Sequence, residues 1–428
     1  MEKKLTSSSP VIEKRYLVPF ILVTSLFFFW GIANNMTDTL LAAFKRIMSM
    51  TDTQTSLIQF SFYGAYAVLA LPAALFIKRY SYKSGVIIGL FMYAAGTILF
   101  FPASKAASYT FYLIAIFIMA GGCSILETTA NPYILSMGSP ETATRRLNVA
   151  QAFNPLGSIT GILLSTFFIQ AELNSADATA RAAMSDEQLS AIQAHELGAV
   201  TGTYMTLGFV LLAVLLLMLF AKMPKSSETD KSIQFKATCG RLFKNKNYWF
   251  GVIAQFFYVG AQIGVWSFTI RLAMSELGIR EQAGALIYLA SIIGFSASRF
   301  IFTWLMKYYR PSRLLVIAAI ADIILSLAVV LTAGTGWIAV GALIGISIFM
   351  SLMFPTIYGI ALDGIGEDAK LGASGLIMAI LGGALFPPLQ AIISDATGSI
   401  NVSYIAPAFC FVVILFYGLF AERNAKKS

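Results

Sequence analysis

The sequence is poor in charged residues and in the side chains on which many enzymes depend. Only 12% of its 428 residues are charged, whereas roughly 25% is typical of soluble domains. It has one histidine, His195, and its three cysteines, Cys123, Cys239 and Cys410, do not have the spacing of metal ligands. It contains neither a Gly-Lys-Ser/Thr phosphate loop nor an Asp-x-Asp pair. These features argue against an ATPase, a metalloenzyme or a sugar-nucleotide enzyme, and we predict that the chain is not an enzyme.

Long apolar runs are abundant instead. Hydrophobic residues make up 57% of the chain, and its mean hydropathy is +0.75. A bilayer-spanning helix needs about 20 apolar residues, and on this criterion the sequence predicts an all-α integral membrane protein with twelve transmembrane helices. The predicted spans are 17–44, 55–77, 84–102, 109–137, 148–170, 200–222, 248–274, 283–305, 313–333, 337–361, 371–393 and 404–421.

The spans divide into two six-helix halves, 17–222 and 248–421. Between the halves lies a charged linker, 223–247, and the chain ends in short tails, 1–16 and 422–428. The halves share weak similarities: 28–34 parallels 256–262, and spans four and ten each contain a proline, Pro132 and Pro355. A parallel repeat of six spans predicts a substrate cavity between the halves near the middle of the membrane.

The basic residues predict the orientation in the membrane. Of the 30 lysine and arginine residues, 24 are assigned to the tails or to segments on the same side as the tails. The exceptions are Lys45, Arg46, Lys105, Arg181, Arg271 and Arg280. Because positive loops stay inside, we expect both termini in the cytoplasm, and we interpret the net charge of +9 as a topology signal rather than as nucleic-acid binding. In the outer loop 171–199, Ser185 and Gln188 have capping-box spacing, which predicts a short surface helix.

Two acidic residues, Asp38 and Glu127, lie inside predicted spans. An ionised carboxylate in hydrocarbon costs roughly 3 kcal/mol or more, and no lysine or arginine is expected near mid-membrane, with Arg271 the nearest. Burial favours the protonated form of a carboxyl group, so the pair predicts proton coupling. We assign the proton-cycling role to Glu127 and the coupling of ligand binding to Asp38. A third acid, Asp322, could equally be a packing residue, and we leave it out of the mechanism.

Four spans carry polar stripes at helical spacing, which we predict to line the cavity. The candidate substrate-binding residues are Asn34, Asn35, Asn131, Gln151, Asn154, Gln255, Tyr258, Gln262 and Trp266. Amides offer donors and acceptors without charge, and aromatic rings offer an apolar face, a combination suited to a neutral sugar. The alternative is that these residues hold helices together. Helix packing is the interpretation we adopt for the small-residue pairs Gly85/Gly89, Gly157/Gly161 and Gly341/Gly345.

Four segments together resemble the fucose–galactose–glucose:proton symporter family of the major facilitator superfamily. They are 33–38 (ANNMTD), 126–133 (LETTANPY), 150–154 (AQAFN) and 255–262 (QFFYVGAQ). The similarity runs from span one to the C-terminus and implies proton-driven sugar uptake. It places the functional acids of the family at Asp38 and Glu127, and its cavity amides at Asn35, Gln151 and Asn154.

The sequence also departs from the family pattern. Thr37 replaces an amide, Phe354 stands where fucose carriers have tyrosine, and Asp322 has no counterpart. These changes put the identity of the sugar in doubt more than the coupling. Span seven, at 262–271, is most similar to the fucose carriers of the family.

The sequence therefore predicts a proton-coupled symporter that imports a neutral monosaccharide, with L-fucose favoured, by alternating access. Glucose, galactose or N-acetylglucosamine is the alternative substrate. An exporter of hydrophobic compounds and a non-transporting membrane sensor are the rival functions. We expect a monomer in a bacterial inner membrane. Its partners would be the sugar, protons and lipid, with no nucleic acid and with the proton as coupling ion in place of a cofactor.

Overall fold

The computed structural model describes residues 10–48, 50, 52–174, 176, 180–181, 183–223 and 235–425. For some residues it describes the backbone only. These are 38–39, 41–42, 45, 52–56 and 281–282. The side chain of Asp38 therefore lies outside the described part, although its backbone belongs to the first helix.

The described chain is helical and contains twelve segments long and apolar enough to cross a membrane. The N half, 14–220, contains α1 (Leu17–Ile47), α2 (Asp52–Arg79), α3 (Tyr82–Ile98), α4 (Phe100–Lys105), α5 (Tyr109–Ser136), α6 (Ala143–Gln151), α7 (Phe153–Phe168) and α8 (Asp186–Phe220). A linker helix follows, α9 (Phe235–Lys244). The C half, 246–425, contains α10 (Lys246–Leu277), α11 (Glu281–Leu305), α12 (Pro311–Leu331), α13 (Trp337–Met350), α14 (Met353–Ala361), α15 (Ala369–Met378), α16 (Gly382–Thr397) and α17 (Ile405–Ala425).

The structure confirms twelve spans and corrects several of their bounds. Four spans are each built from two helices: α3 with α4, α6 with α7, α13 with α14, and α15 with α16. The predicted surface helix is not separate from span six. Both hydrogen bonds of the Ser185–Gln188 capping box are present. The helix that the box starts nevertheless continues without a break to Phe220, because apolar residues follow the polar first turns directly.

The outer surface of the bundle is apolar. Large side chains such as Phe60, Phe220 and Leu331 are 74%, 85% and 83% exposed, which in a soluble protein would cost solubility. Lipid is the environment in which such a surface is stable. Because twelve spans cross alternately, both termini lie at one end of the bundle. We call this end, which holds Leu17 and Ala425, the termini end, and the opposite end the far end.

Close approach of helices at glycine fixes the packing within the N half. A Cβ atom at Gly157 would lie 1.9 Å from the Phe28 carbonyl oxygen, and one at Gly161 would lie 2.7 Å from that of Ile32. The prediction of a packing role is confirmed for this pair. It is wrong for Gly341, where a Cβ atom would meet nothing within 4 Å.

The two halves meet mainly toward the termini end. There α6 contacts α14, and α15 contacts both α2 and α5. The Asn148 Nδ2 group donates to Thr356 Oγ1 at 3.3 Å, and Arg145 Nε donates to the Thr303 carbonyl at 3.2 Å. Gly359 packs so closely on Thr144 that a Cβ atom would lie 2.6 Å from the hydroxyl oxygen. These contacts close the termini end of the bundle.

Candidate functional site

A cavity lies between the halves, on the far side of the closing contacts. Both halves contribute to its wall. The lining residues are Trp30, Asn34, Asn35, Thr37, Gln59, Phe62, Tyr63, Tyr66, Glu127, Gln151, Asn154, Ser158, Val259, Gln262, Ile263, Trp266, Arg299, Phe354 and Ile380. One carboxylate, several amides and several aromatic rings thus face a shared space.

Glu127 is the carboxylate in this wall, and its residue is only 5% exposed. The Tyr66 hydroxyl of α2 donates to its Oε1 atom at 3.1 Å. The glutamate occurs in a part of α5 that is buried on every side from Met119 to Ile134. It therefore faces the protein interior and the cavity rather than lipid, which is the placement a proton carrier requires.

A chain of amide hydrogen bonds leads from Glu127 to helix α6. Asn131 lies one turn after Glu127, and its Nδ2 group donates to the Glu127 carbonyl at 3.0 Å. Its Oδ1 atom accepts from Gln151 Nε2 at 2.8 Å. Gln151 lines the cavity, whereas Asn131 is completely buried and does not. The prediction that Asn131 lines the cavity is wrong, because it is one turn farther toward the termini end, and it supports Gln151 instead.

Helices α1 and α7 place three further predicted amides in the wall. Asn34 and Asn35 belong to α1, and the Asn35 Nδ2 group donates to the Gly31 carbonyl at 3.4 Å. The Oδ1 atom of Asn34 is buried and has no hydrogen-bond partner among the described residues. Asn154 of α7 donates from Nδ2 to the Phe27 carbonyl of α1 at 3.2 Å. The side-chain amides of Asn35 and Asn154 are therefore held by backbone carbonyl groups near the cavity.

Helix α10 supplies two of its four predicted residues to the cavity. Gln262 and Trp266 line it, and Trp266 Nε1 donates to Ser347 Oγ at 3.4 Å. The prediction is wrong for Gln255 and Tyr258, which are fully buried and are not in the wall. They share the helical face but lie one to two turns nearer the termini end, where the ring of Phe354 covers Tyr258 at a centroid distance of 6.1 Å.

Sequence reasoning missed one side of the wall entirely. Gln59, Tyr63 and Tyr66 of α2 all line the cavity. Their spacing of four and then three residues forms a helical stripe like those recognised on other spans. The stripe was the available signal, but an aromatic stripe in an apolar span usually indicates packing alone.

Arg299 contradicts the expectation that no basic residue lies near the middle of the membrane. It is only 3% exposed and lines the same cavity as Glu127. Its position in span eight suggested a charge at the cytoplasmic helix end, yet the guanidinium points inward. Asp322, by contrast, is fully buried in α12 and does not line the cavity, and neither of its carboxyl oxygens has a hydrogen-bond partner in the described part of the chain.

The arrangement suits the binding of a neutral polar ligand beside a titratable group. Amides and hydroxyls can pair with ligand hydroxyls, and aromatic rings can cover apolar faces. Within the described residues, no group of three or more histidine, cysteine, aspartate or glutamate side chains could hold a metal ion. The described wall therefore offers hydrogen bonding and proton exchange.

The chain is similar to known transporters over nearly its whole length. The family description Major Facilitator Superfamily matches residues 20–382. The L-fucose-proton symporter of Haemophilus influenzae is 44% identical over 98% of this chain and 100% of that relative. The glucose/galactose transporter of Brucella abortus is 34% identical over 96% of each chain. A crystal structure of the Major Facilitator Superfamily transporter FucP in the outward conformation matches with a TM-score of 0.88 and 36% identity, over 95% of this chain and 99% of that one.

Proposed function

The chain belongs to the Major Facilitator Superfamily, and we propose that it is a proton-coupled symporter that imports L-fucose by alternating access. The observation that carries this proposal is the position of Glu127. Its carboxylate faces a cavity between the halves, and its backbone carbonyl accepts from Asn131, whose Oδ1 atom accepts in turn from the cavity amide of Gln151. Proton binding and sugar binding would therefore take place on neighbouring residues that line one cavity and belong to one hydrogen-bonded chain.

The transport cycle that we propose begins with the termini end closed. With the cavity reachable from the far end, Glu127 would take up a proton and the amides would bind the sugar. Neutralising a buried carboxylate removes a large cost of enclosing it, so the loaded carrier can close at the far end and open at the termini end. Release of the sugar and then of the proton would reset it. Asp38, whose backbone lies one turn beyond Asn34 in α1, would link sugar binding to protonation.

The choice of L-fucose is supported by the relative of highest identity reported above and by the chemistry of the wall. A 6-deoxyhexose presents hydroxyl groups on one side and a methyl group on another. Amides such as Gln151 and Asn154 lie in the same wall as the apolar ring of Phe62. Glucose and galactose are the competing substrates, because one relative is a glucose/galactose transporter. An exporter of hydrophobic compounds is disfavoured by the polar wall.

Location and orientation are part of the proposal. The apolar surface fits a bacterial inner membrane, and the positive-inside rule places the termini end in the cytoplasm and the far end outside. We propose a monomer with both termini cytoplasmic. Fluorescence of a green fluorescent protein fused to the C-terminus is expected, because that reporter folds in the cytoplasm but not after export in unfolded form. If the full-length fusion is present but does not fluoresce, the C-terminus lies outside the cytoplasm and the proposed orientation is wrong.

Proton movement on addition of sugar tests the function directly. In de-energised cells, external pH should rise when L-fucose is added, less when D-galactose or D-glucose is added, and not with N-acetylglucosamine. If external pH rises with D-glucose alone, the substrate is glucose rather than L-fucose. Sugar entry without any rise in pH would remove the proton coupling.

The role of Glu127 is tested by Glu127→Gln, which keeps the shape but cannot carry a proton. We expect accumulation against a gradient to be lost, while exchange of labelled for unlabelled sugar continues. Glu187→Gln is the matched control, because Glu187 is exposed in the first turn of α8, and it should accumulate sugar normally. Normal accumulation by Glu127→Gln would show that another group carries the proton.

A further inference from the structure

Arg299 joins the two halves at the wall of the cavity. Its Nε group donates to the Ser351 carbonyl at 2.6 Å, and its Nη1 group donates to the Gln151 carbonyl at 2.9 Å. Ser351 lies between α13 and α14 in the C half, the half to which Arg299 belongs. Gln151 is the last residue of α6 in the N half. One buried guanidinium thus donates to a backbone carbonyl group on each side of the interface.

A proline leaves each of these carbonyl groups without its helical partner. In an α-helix, the carbonyl of residue i accepts from the N–H of residue i+4, and proline has no N–H. Pro155 follows Gln151 by four residues, and Pro355 follows Ser351 by four. Both spans break here, between α6 and α7 and between α13 and α14. A buried carbonyl without a partner is costly, and the planar fork of Arg299 supplies both partners at once.

We propose that Arg299 is a positioning residue that locks the termini end of the bundle and holds Gln151 in the sugar cavity. The inference rests on the proposed function, since it concerns the opening step of alternating access. Gln151 is fixed at both ends: its carbonyl accepts from Arg299, and its side-chain amide donates to Asn131, which in turn donates to the Glu127 carbonyl. The closed end is therefore continuous with the sugar and proton sites.

Opening the termini end must break the bond between Arg299 and Gln151. Its neighbours, from Arg145 to Thr303 and from Asn148 to Thr356, cross the same interface and must break with it. Arg299 keeps its contacts within the C half, to the Ser351 carbonyl and to the ring of Phe295, 4.6 Å from the guanidinium carbon. The arginine would move with the C half, and Gln151 would move with the N half.

Alkylation of a cysteine at position 356 measures this opening without sugar. Thr356 is completely buried where α14 meets α6. In a chain whose native cysteines are replaced by alanine, Thr356→Cys should react slowly with a membrane-permeant maleimide. Adding Arg299→Gln should accelerate the reaction roughly tenfold, because a hydrogen bond from a charged donor is lost. Arg280→Gln, at the exposed far-end start of the same helix, is the matched control and should leave the rate unchanged.

A second variant separates locking from simple stability. Pro155→Ala restores an N–H that can pair with the Gln151 carbonyl within the helix. In the Arg299→Gln background it should recover thermal stability while alkylation stays fast, because the link between the halves is still missing. Recovery of the slow alkylation rate along with the stability would overturn the proposal, as would an Arg299→Gln variant that alkylates at the control rate.

The readouts distinguish failure of this inference from failure of the transport proposal. Alkylation needs no substrate, so faster reaction of Arg299→Gln in a protein that moves no sugar would refute sugar transport alone. In a protein that does transport, Arg299→Gln should also raise the KM for sugar, because Gln151 loses its anchor. If alkylation is fast but the KM is unchanged, Arg299 only keeps the termini end closed, and its proposed role in holding Gln151 is wrong.

Discussion

The contact between α1 and α7 gives the sharpest test of how packing supports the cavity. A Cβ atom at Gly157 would lie 1.9 Å from the Phe28 carbonyl oxygen, whereas ordinary contact begins at 3.4 Å. The methyl group of Gly157→Ala would therefore need the helices to separate by about 1.5 Å. The partner helix gives no room, since a Cβ atom at Gly31 would lie 2.2 Å from the Asn154 carbonyl oxygen.

The separation should reach the binding site directly. Asn154 lines the cavity and donates to the Phe27 carbonyl at 3.2 Å, so a shift of this size breaks that bond and moves the amide. Overpacking of this kind costs about 1–3 kcal/mol of folding stability. Misplacement of a positioned group by about 1 Å can cost up to roughly 100-fold in turnover. We expect Gly157→Ala to lower both thermal stability and sugar affinity.

Thermal unfolding in detergent and sugar-dependent tryptophan fluorescence would measure the two effects. Gly202→Ala is the matched control, because a Cβ atom there would meet nothing within 4 Å. Replacing glycine by alanine at such an open helical site should stabilise by about 0.5–1 kcal/mol. If Gly157→Ala unfolds at the temperature of Gly202→Ala and binds sugar equally well, the close contact and its effect on Asn154 are refuted.

Two further substitutions address the buried acids. Tyr66→Phe removes the hydroxyl group that donates to the Glu127 carboxylate, so the pH profile of sugar-driven proton uptake should differ from that of the unmodified chain. An unchanged pH profile would argue that Glu127 does not titrate during transport. Asp322→Asn replaces a carboxyl group that lies away from the cavity wall, and flux measurements should give an unchanged proton-to-sugar ratio. A lower ratio would bring Asp322 into the mechanism.

Helix content and the buried position of Glu127 could be predicted because each depends on local properties of the chain. Twenty apolar residues in a row suffice to indicate a span, and a carboxylate inside such a run is unusual enough to indicate function. Helical spacing indicated four amides of α1, α6 and α7 that line the cavity, namely Asn34, Asn35, Gln151 and Asn154. The errors at Asn131, Gln255 and Tyr258 share one cause. Spacing tells which face of a helix a residue occupies, but it does not tell how far along the helix the cavity extends.

Contacts between the halves could not be predicted from spacing, because they depend on which helices approach and at what height. Arg299 looked like an ordinary charge near the end of span eight. Nothing within its own helix indicates that two carbonyl groups from other helices would accept its hydrogen bonds. A contact within the N half was missed for the same reason: the Tyr66 hydroxyl meets Glu127 only because α2 packs against α5.

The prolines do, however, leave a trace in the sequence that can be interpreted once the fold is known. Pro155 and Pro355 each free one carbonyl group four residues earlier, and a freed carbonyl in a membrane interior must find a donor. Water could serve on a surface that stays wet, but at this closed interface Arg299 donates to both carbonyl groups, to Gln151 from the other half and to Ser351 from within the same half. At Gln151 and Ser351, hydrogen bonds to Arg299 therefore take the place of the missing helical hydrogen bonds. The bond to Gln151 crosses between the halves and can be broken when they separate.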